Sequence, residues 1–234
     1  MHSEHESFTW LSLIPGLEHY PNHLVVAIAI SVLLILFAGV ATLKMRSVKD
    51  PTVPDDRLTY RNFFEIIAEK LYELCENVLG EHAAEEYFPV IATLFIFIFT
   101  CNLIGLVPGF LPPTDNINVT MAAGFFVFLF YNFHGFKHNG LGYLKHFMGP
   151  VWYLAPLMLV IEIVSHLFRP VSLALRLRGN MMGDHAVLGV FLSLVPYGIP
   201  VIFYSFGVFV AFIQAFVFCL LTMVYINLSI AHDH

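Results

Sequence analysis

Apolar residues occur in long runs along this chain, and most polar residues are gathered in the segments between those runs. Two runs, 24–43 and 88–107, each contain 20 residues without Asp, Glu, Lys or Arg. A helix of about 20 apolar residues crosses the roughly 30 Å hydrocarbon core of a bilayer. The pattern therefore predicts membrane-spanning helices at both runs.

Three further spans are predicted in the second half of the chain. The predicted spans are 117–134, 151–195 and 199–230. The last two are separated by Pro196 to Pro200 and would measure about 66 and 48 Å at 1.5 Å per residue. We expect them to be strongly tilted or broken, with Pro156 and Pro170 as natural break points.

One segment, 57–79, has a different pattern, in which apolar residues recur at steps of three and four with acidic residues opposite. This is typical of an amphipathic helix at a membrane surface. Its polar face is mainly acidic, which favours packing against protein over binding anionic lipid. With the five spans it makes 1–234 a single all-α polytopic membrane domain.

Composition agrees with this class, since 58% of the residues are hydrophobic and 12% are charged. Soluble domains carry about 25% charged residues. No Lys or Arg precedes Leu24, so the basic region of a signal peptide is absent and we expect the first span to stay in the mature protein.

The three cysteines and twelve histidines give no metal or disulfide pattern. Several histidines crowd the two ends, where solvated termini are favoured over a metal-binding tail. There is no GxxxxGK[ST] motif for a nucleotide, and we expect no cofactor, no metal, no nucleic acid and no catalysis by this chain alone.

Orientation follows from the basic residues near the spans, because cytoplasmic loops are enriched in Lys and Arg. All eight loop cations fall on one side of the predicted topology: Lys44, Arg46, Lys49, Arg57, Arg61, Lys70, Lys137 and Lys145. The prediction is an N-terminus outside and a C-terminus in the cytoplasm, with five crossings.

A polar stripe runs along the fourth span. Measured from Arg176 at 100° per residue, the stripe lies within about 40° of that residue. It contains Glu162, Ser165, Arg169, Ser172, Asn180 and Gly183. A charged side chain at mid-bilayer costs roughly 3 to more than 10 kcal/mol, which favours function for Arg176, Glu162 and Asn180. For Ser165 and Ser172 alone, interhelical hydrogen bonding is an equal alternative.

Two polar residues lie on the back of the same helix, Arg178 at about 160° and His185 at about 180° from Arg176. The last span carries Gln214 beside a stripe of small residues that lets another helix approach closely. If the two helices pack antiparallel, Gln214 could reach Arg176 or Asn180. A lone Gln is otherwise typical of contacts between helices.

These residues carry a resemblance. RPVSLALRLRGNMMGDH at 169–185, FIQAFVFCLLTMVYINLSIA at 212–231, NLIGLVPG at 102–109 and INVTMA at 117–122 resemble the a subunit of the membrane sector of F-type ATP synthases. The resemblance covers the chain from about residue 50 onward. Two positions depart from the family pattern: Arg178 replaces a hydrophobic or small residue, and Gly207 stands where relatives often carry His or Glu.

The resemblance implies a stator subunit with two aqueous half-channels beside a rotating ring of c subunits. Arg176 would face the ring, and an inlet from outside would be lined by His185, Asn180 and Gln214. The exit would lie near Glu162 and Ser165, with Ser172, Asp184 and Arg178 as secondary candidates. The implied partners are the c-ring, the b-subunit peripheral stalk and the other synthase subunits, in a bacterial inner membrane, with H⁺ translocated and Na⁺ left open.

Two alternatives belong to other classes. A secondary transporter could use a buried arginine to bind an anionic substrate, but such folds usually show internal repeats, and none is visible here. A structural membrane scaffold would not need a stripe that contains Glu162 and Arg176.

Overall fold

The computed structural model describes residues 20–46, 60–107, 109–140, 153, 155–194 and 199–230. Every described element is helical, as the sequence predicts. The α-helices are α1 (Asn22–Arg46), α2 (Tyr60–Leu79), α3 (Glu81–Ile104), α4 (Ile117–Asn139), α5 (Ala155–Leu194) and α6 (Ile199–Ile230). A short 3-10 helix, Pro113–Asp115, precedes α4. The predicted positions 57–59, 151, 152, 154 and 195 lie outside the described residues.

Five of these helices are long and apolar enough to cross a membrane, namely α1, α3, α4, α5 and α6. This confirms the all-α membrane class. The third helix begins at Glu81, seven residues before the predicted start of the apolar run. Its first two turns carry the acidic residues, and Gly80 separates it from α2 with a φ of 83°, a left-handed value that favours glycine.

The fifth helix is 40 residues long and continuous. Of the two alternatives expected, strong tilt or a break, the break at Pro170 does not occur, although a proline in a helix has no N–H for the carbonyl four residues earlier. Helix α4 packs closely against α5 at this position, since a Cβ on Gly124 of α4 would lie 2.7 Å from the Pro170 carbonyl oxygen. Pro156 lies in the first turn, where proline is tolerated. A straight helix of about 60 Å fits a 30 Å hydrocarbon layer only at a steep tilt.

The main core lies between α3, α4, α5 and α6, with α2 packed across one end. The amphipathic pattern of α2 explains its position, since Leu71, Cys75 and Leu79 are buried one turn apart while Glu69 and Glu73 are exposed. Asn227 of α6 donates a hydrogen bond to the Val78 carbonyl at 2.9 Å, which joins the end of α6 to the end of α2.

The first helix is peripheral. It packs on α3 through a small cluster formed by Val26, Ile30 and Cys101. At the start of α1, His23 Nδ1 lies 3.1 Å from Asn116 Nδ2, next to the 3-10 helix. An apolar cavity of about 520 Å³ lies between α1, α3 and α4, and residues of all three helices line it. It is lined by none of the predicted site residues.

Candidate functional site

The predicted polar stripe lies on the outward face of α5. Ser165, Ser172, Arg176, Asn180 and Gly183 are all exposed on this face. The opposite face is apolar and fully buried in the bundle, at Leu173, Ala174, Leu177 and Met181. The spacing of three and four residues therefore separates a polar outer face from an apolar inner face. We call the whole predicted set the α5 stripe: Glu162, Ser165, Arg169, Ser172, Arg176, Asn180 and Gly183.

Arg176 lies near the middle of the stripe and makes no hydrogen bond or ion pair with any other residue that the structure describes. A guanidinium keeps its proton, so the charge remains even in an apolar setting. Because charged side chains at membrane depth pair with other groups or line a wet cavity, this face requires an anion or water from outside the chain.

Asn180 and Gln214 meet between α5 and α6. Asn180 Nδ2 donates to Gln214 Oε1 at 2.6 Å, and Gln214 is 3% exposed. Small residues allow the two helices to approach, since Ala211 and Ala215 are buried beside Gln214. The predicted contact of Gln214 with Asn180 is present. This pair lies one turn from Arg176 and joins the outer face of α5 to the interior.

Glu162 and Arg169 pair near the start of α5. Arg169 Nη2 lies 3.4 Å from Glu162 Oε1, and the Arg169 guanidinium lies 5.3 Å from the ring centre of Tyr225 on α6. Ser165 is exposed on the same face. At the end of the stripe nearer the start of α5, the charges of Glu162 and Arg169 therefore compensate each other. The charge of Arg176 is not compensated by any described residue.

The second arginine of the motif, Arg178, points into the bundle. Its Nε donates to the backbone carbonyl of Asp115 at 3.1 Å, and its side chain is half-buried. Arg178 therefore fastens the 3-10 helix to α5. Asp184, six residues further along α5, makes no ion pair with Arg178 in the described part of the chain.

Asp184 and His185 turn toward different neighbours. A Cβ on Gly105 would lie 2.8 Å from His185 Nε2 and 2.7 Å from Pro112, so His185 faces the connection between α3 and α4. Its buried Nε2 has no hydrogen-bond partner among the described residues. A Cβ on Gly207 would lie 3.1 Å from Asp184 Oδ2, so Asp184 faces α6.

The predicted inlet residues are thus only partly brought together. Asn180 and Gln214 are bonded, but His185 lies five residues further along α5 and makes no hydrogen bond to either one. A missing side chain at Gly207 leaves room for Asp184 and for Leu106, whose Cδ2 would be 2.6 Å from an added Cβ. Asp184 and His185 lie on the sides of α5 that face α6 and the connection between α3 and α4.

Tyr225 is a site neighbour that the sequence interpretation missed. It lies eleven residues after Gln214, which is three turns and about 20° around the helix. That spacing was the available signal. A second missed contact joins His166 Nε2 to Asn132 Oδ1 at 2.8 Å, between α5 and α4. No spacing within either helix indicates that pair.

The fold and the site together define a class: a multi-pass membrane protein in which one long helix presents an uncompensated cation at membrane depth. The match to a known family is nearly complete in length. A family described as ATP synthase A chain matches residues 23–227. The chain belongs to this family.

Three bacterial relatives named ATP synthase subunit a are similar over much of their length. The protein of Bdellovibrio bacteriovorus is 48% identical, over 97% of this chain and 100% of its own. That of Trichlorobacter lovleyi is 47% identical, over 91% of this chain and 89% of its own. That of Geobacter sulfurreducens is 50% identical, over 74% of this chain and 76% of its own.

Membership of this family makes the chain the stator subunit that takes part in proton translocation, and it is not catalytic alone. It functions within an ATP synthase complex. The secondary-transporter alternative has no support among these relatives.

Proposed function

We propose that Arg176 is the stator charge that acts on the carboxylates of a rotating c-ring, with the α5 stripe as the surface that faces the ring. The observation that carries this proposal is the exposed guanidinium without a partner among the described residues. A passing carboxylate supplies the anion that the arginine lacks. A nearby fixed cation favours the ionised form of that carboxyl group, so its proton leaves.

The proton inlet runs from the outside along the inner side of α5 to the ring. Asn180 and Gln214 form its last step, one turn from Arg176, and His185 lies nearer the outer end. Polar side chains with open hydrogen-bonding capacity suit this role because they hold water between them. Asp184 and Arg178 border this route as secondary candidates, and Ser172, one turn from Arg176 on the Glu162 side, borders the exit.

The exit lies on the other side of Arg176, near Glu162 and Ser165. The proton released at Arg176 passes this polar end of the stripe to the cytoplasm. Arg176 also blocks a direct leak, since a fixed cation between inlet and exit repels protons. A proton from the inlet then protonates the ionised carboxylate, and the neutral carboxyl group crosses lipid at far lower cost than an ion.

We propose that the chain lies in the inner membrane of a bacterium, with its N-terminus outside and its C-terminus in the cytoplasm. Support comes from the eight loop cations on one side of the topology and from the bacterial relatives. The other partners are the b-subunit stalk and the remaining synthase subunits, and the translocated ion is H⁺, or Na⁺ if the ring's ligands select it. A reporter after His234 is expected to be active in the cytoplasm, and a tag near His2 is expected to be reachable from outside.

Copurification tests the assembly directly. A tag on this chain is expected to bring down a ring of small hydrophobic subunits and a soluble ATPase head in mild detergent. Vesicles that contain the complex are expected to make ATP when a proton gradient is imposed. Purification of the chain alone or as a homo-oligomer, with no ATPase activity, would contradict the proposal.

A further inference from the structure

The α5 stripe carries two arginines in different electrostatic states. Arg169 and Arg176 are seven residues apart, which is two turns, about 10 Å and about 20° around the helix. Both therefore face the same side. A ring carboxylate that moves past this face would be attracted by each cation that is left uncompensated.

The environment of Arg169 compensates its charge. Glu162 Oε1 lies 3.4 Å from Arg169 Nη2, and the two side chains are 36% and 20% exposed. The Tyr225 ring lies 5.3 Å from the guanidinium on the α6 side, within the range of a cation–π contact. The neighbouring His166 contacts Asn132 of α4, with 2.8 Å between His166 Nε2 and Asn132 Oδ1.

We propose that Glu162 and Tyr225 hold Arg169 as a neutralised, fixed cation, so that the ring carboxylate is captured at Arg176 and not two turns earlier. Arg169 is then a positioning residue, and the contribution of Glu162 to translocation is exerted through it. This inference rests on the proposed function and specifies how its exit side works. It predicts that an unpaired Arg169 is more harmful than no arginine at this position.

The test is a double-substitution cycle in the whole synthase. ATP-driven proton pumping is measured in inverted vesicles for Glu162→Gln, Arg169→Gln and the double variant, and each rate is divided by the amount of assembled complex. Glu162→Gln leaves a free cation, and pumping per complex is expected to fall about tenfold, within the range of coupling between contacting residues. The double variant removes both charges and is expected to recover to within about twofold of the unsubstituted chain.

Lys70→Gln is the matched control, because Lys70 and Glu73 form an exposed ion pair at 2.7 Å on α2, away from the stripe. It is expected to leave pumping unchanged, since exposed pairs contribute little. Arg169→Lys keeps the charge beside Glu162 and is expected to pump better than the single Glu162→Gln variant.

Three results would overturn the inference. A double variant as slow as Glu162→Gln would mean that the carboxylate carries the proton itself. Normal pumping per complex in Glu162→Gln, with less complex assembled, would reduce the pair to a structural contact. Normal pumping and normal assembly would remove it from translocation. None of these results alters the test of Arg176, so failure here is distinguishable from failure of the proposed function.

Tyr225 gives a second, independent measurement. Tyr225→Phe keeps an aromatic face for the guanidinium and is expected to pump within about twofold of the unsubstituted chain. Tyr225→Leu removes that face, and pumping per complex is expected to fall at least about threefold. Equal rates in the two variants would contradict the anchoring role of the ring.

Discussion

The two arginines of the LRLRGN segment differ in almost every physical respect. Arg176 is exposed on the outer face of α5 without a described partner, whereas Arg178 is half-buried and donates to the Asp115 carbonyl at 3.1 Å. Two residues along a helix correspond to about 200° of rotation. The helix thus presents one cation on its exposed outer face and uses the other to hold its own fold together.

The difference shows that membrane depth alone does not define a functional charge. Both arginines lie within one predicted span, and both stay protonated. The guanidinium of Arg178 is hydrogen-bonded to a backbone carbonyl, and the guanidinium of Arg169 is paired with Glu162 and lies over the Tyr225 ring. Arg176 has no such partner among the described residues, and under the proposed function its charge acts on the moving ring carboxylate.

The largest effect is expected from Arg176. Arg176→Ala should abolish gradient-driven ATP synthesis and open a passive proton leak, because no fixed cation then separates the inlet from the exit. Arg176→Lys should fail as well, since an ammonium lacks the planar fork of a guanidinium. Synthesis and passive permeability in membrane vesicles measure both effects. Robust synthesis in Arg176→Ala would contradict the assignment.

A smaller loss is expected at the contact between α5 and α6. Asn180→Leu and Gln214→Leu each remove one partner of the 2.6 Å hydrogen bond and leave the other unsatisfied, which costs about 1–3 kcal/mol. Synthesis should fall about tenfold in each. The two losses should be less than additive in the double variant. Fully additive losses would mean that the two amides act separately.

Arg178→Phe should have a modest effect of a different kind. It removes the bond to the Asp115 carbonyl, so the amount of assembled complex should fall first, by about twofold to fivefold. Synthesis per assembled complex should stay at about half or more of the unsubstituted value. Immunodetection of the chain in membranes separates the two quantities. Complete loss of synthesis at normal assembly would show that Arg178 belongs to the translocation route.

The sequence predicts the surroundings of Arg176 better than those of Arg178. The α5 stripe and the contact of Gln214 with Asn180 follow from three- and four-residue spacing, because helical periodicity decides which side chains share a face. The partner of Arg178 does not follow, since it is a backbone carbonyl 63 residues earlier in the chain. Every residue has such a carbonyl, so residue type carries no signal for it.

Helix boundaries and breaks are likewise predicted only in part from the sequence. The third helix begins at Glu81, seven residues before the apolar run that predicts the span, because its first turns carry charged residues that the apolar pattern leaves out. Of the two alternatives expected for this helix, strong tilt or a break, the break at Pro170 is not seen, and Gly124 of α4 packs against that turn. Propensity describes one helix at a time, and here the neighbouring helix decides the outcome.

The smallest expected effect concerns chemical labelling of the native cysteine thiols. Their reactivity is the background signal in any test that introduces new cysteines on the two faces of α5. Cys75, Cys101 and Cys219 are all buried. Burial raises the pKa of the Cys75 thiol on α2 to about 11, so at pH 8 about one thiol in a thousand is ionised. Maleimide labelling of Cys75 should be slow at pH 8 and rise about tenfold per pH unit up to pH 11. Rapid labelling at pH 8 would contradict the burial of Cys75 between α2 and the rest of the helix bundle.

Cross-linking at two neighbouring positions tests most directly whether the α5 stripe faces the ring. Ser172 is exposed on the stripe, and Ala174, two residues later, is fully buried on the opposite face. With one cysteine placed on the outer helix of the ring subunit, Ser172→Cys is expected to form a disulfide with it under mild oxidation, and Ala174→Cys is expected to form none. A cross-link from Ala174→Cys with none from Ser172→Cys would contradict the account.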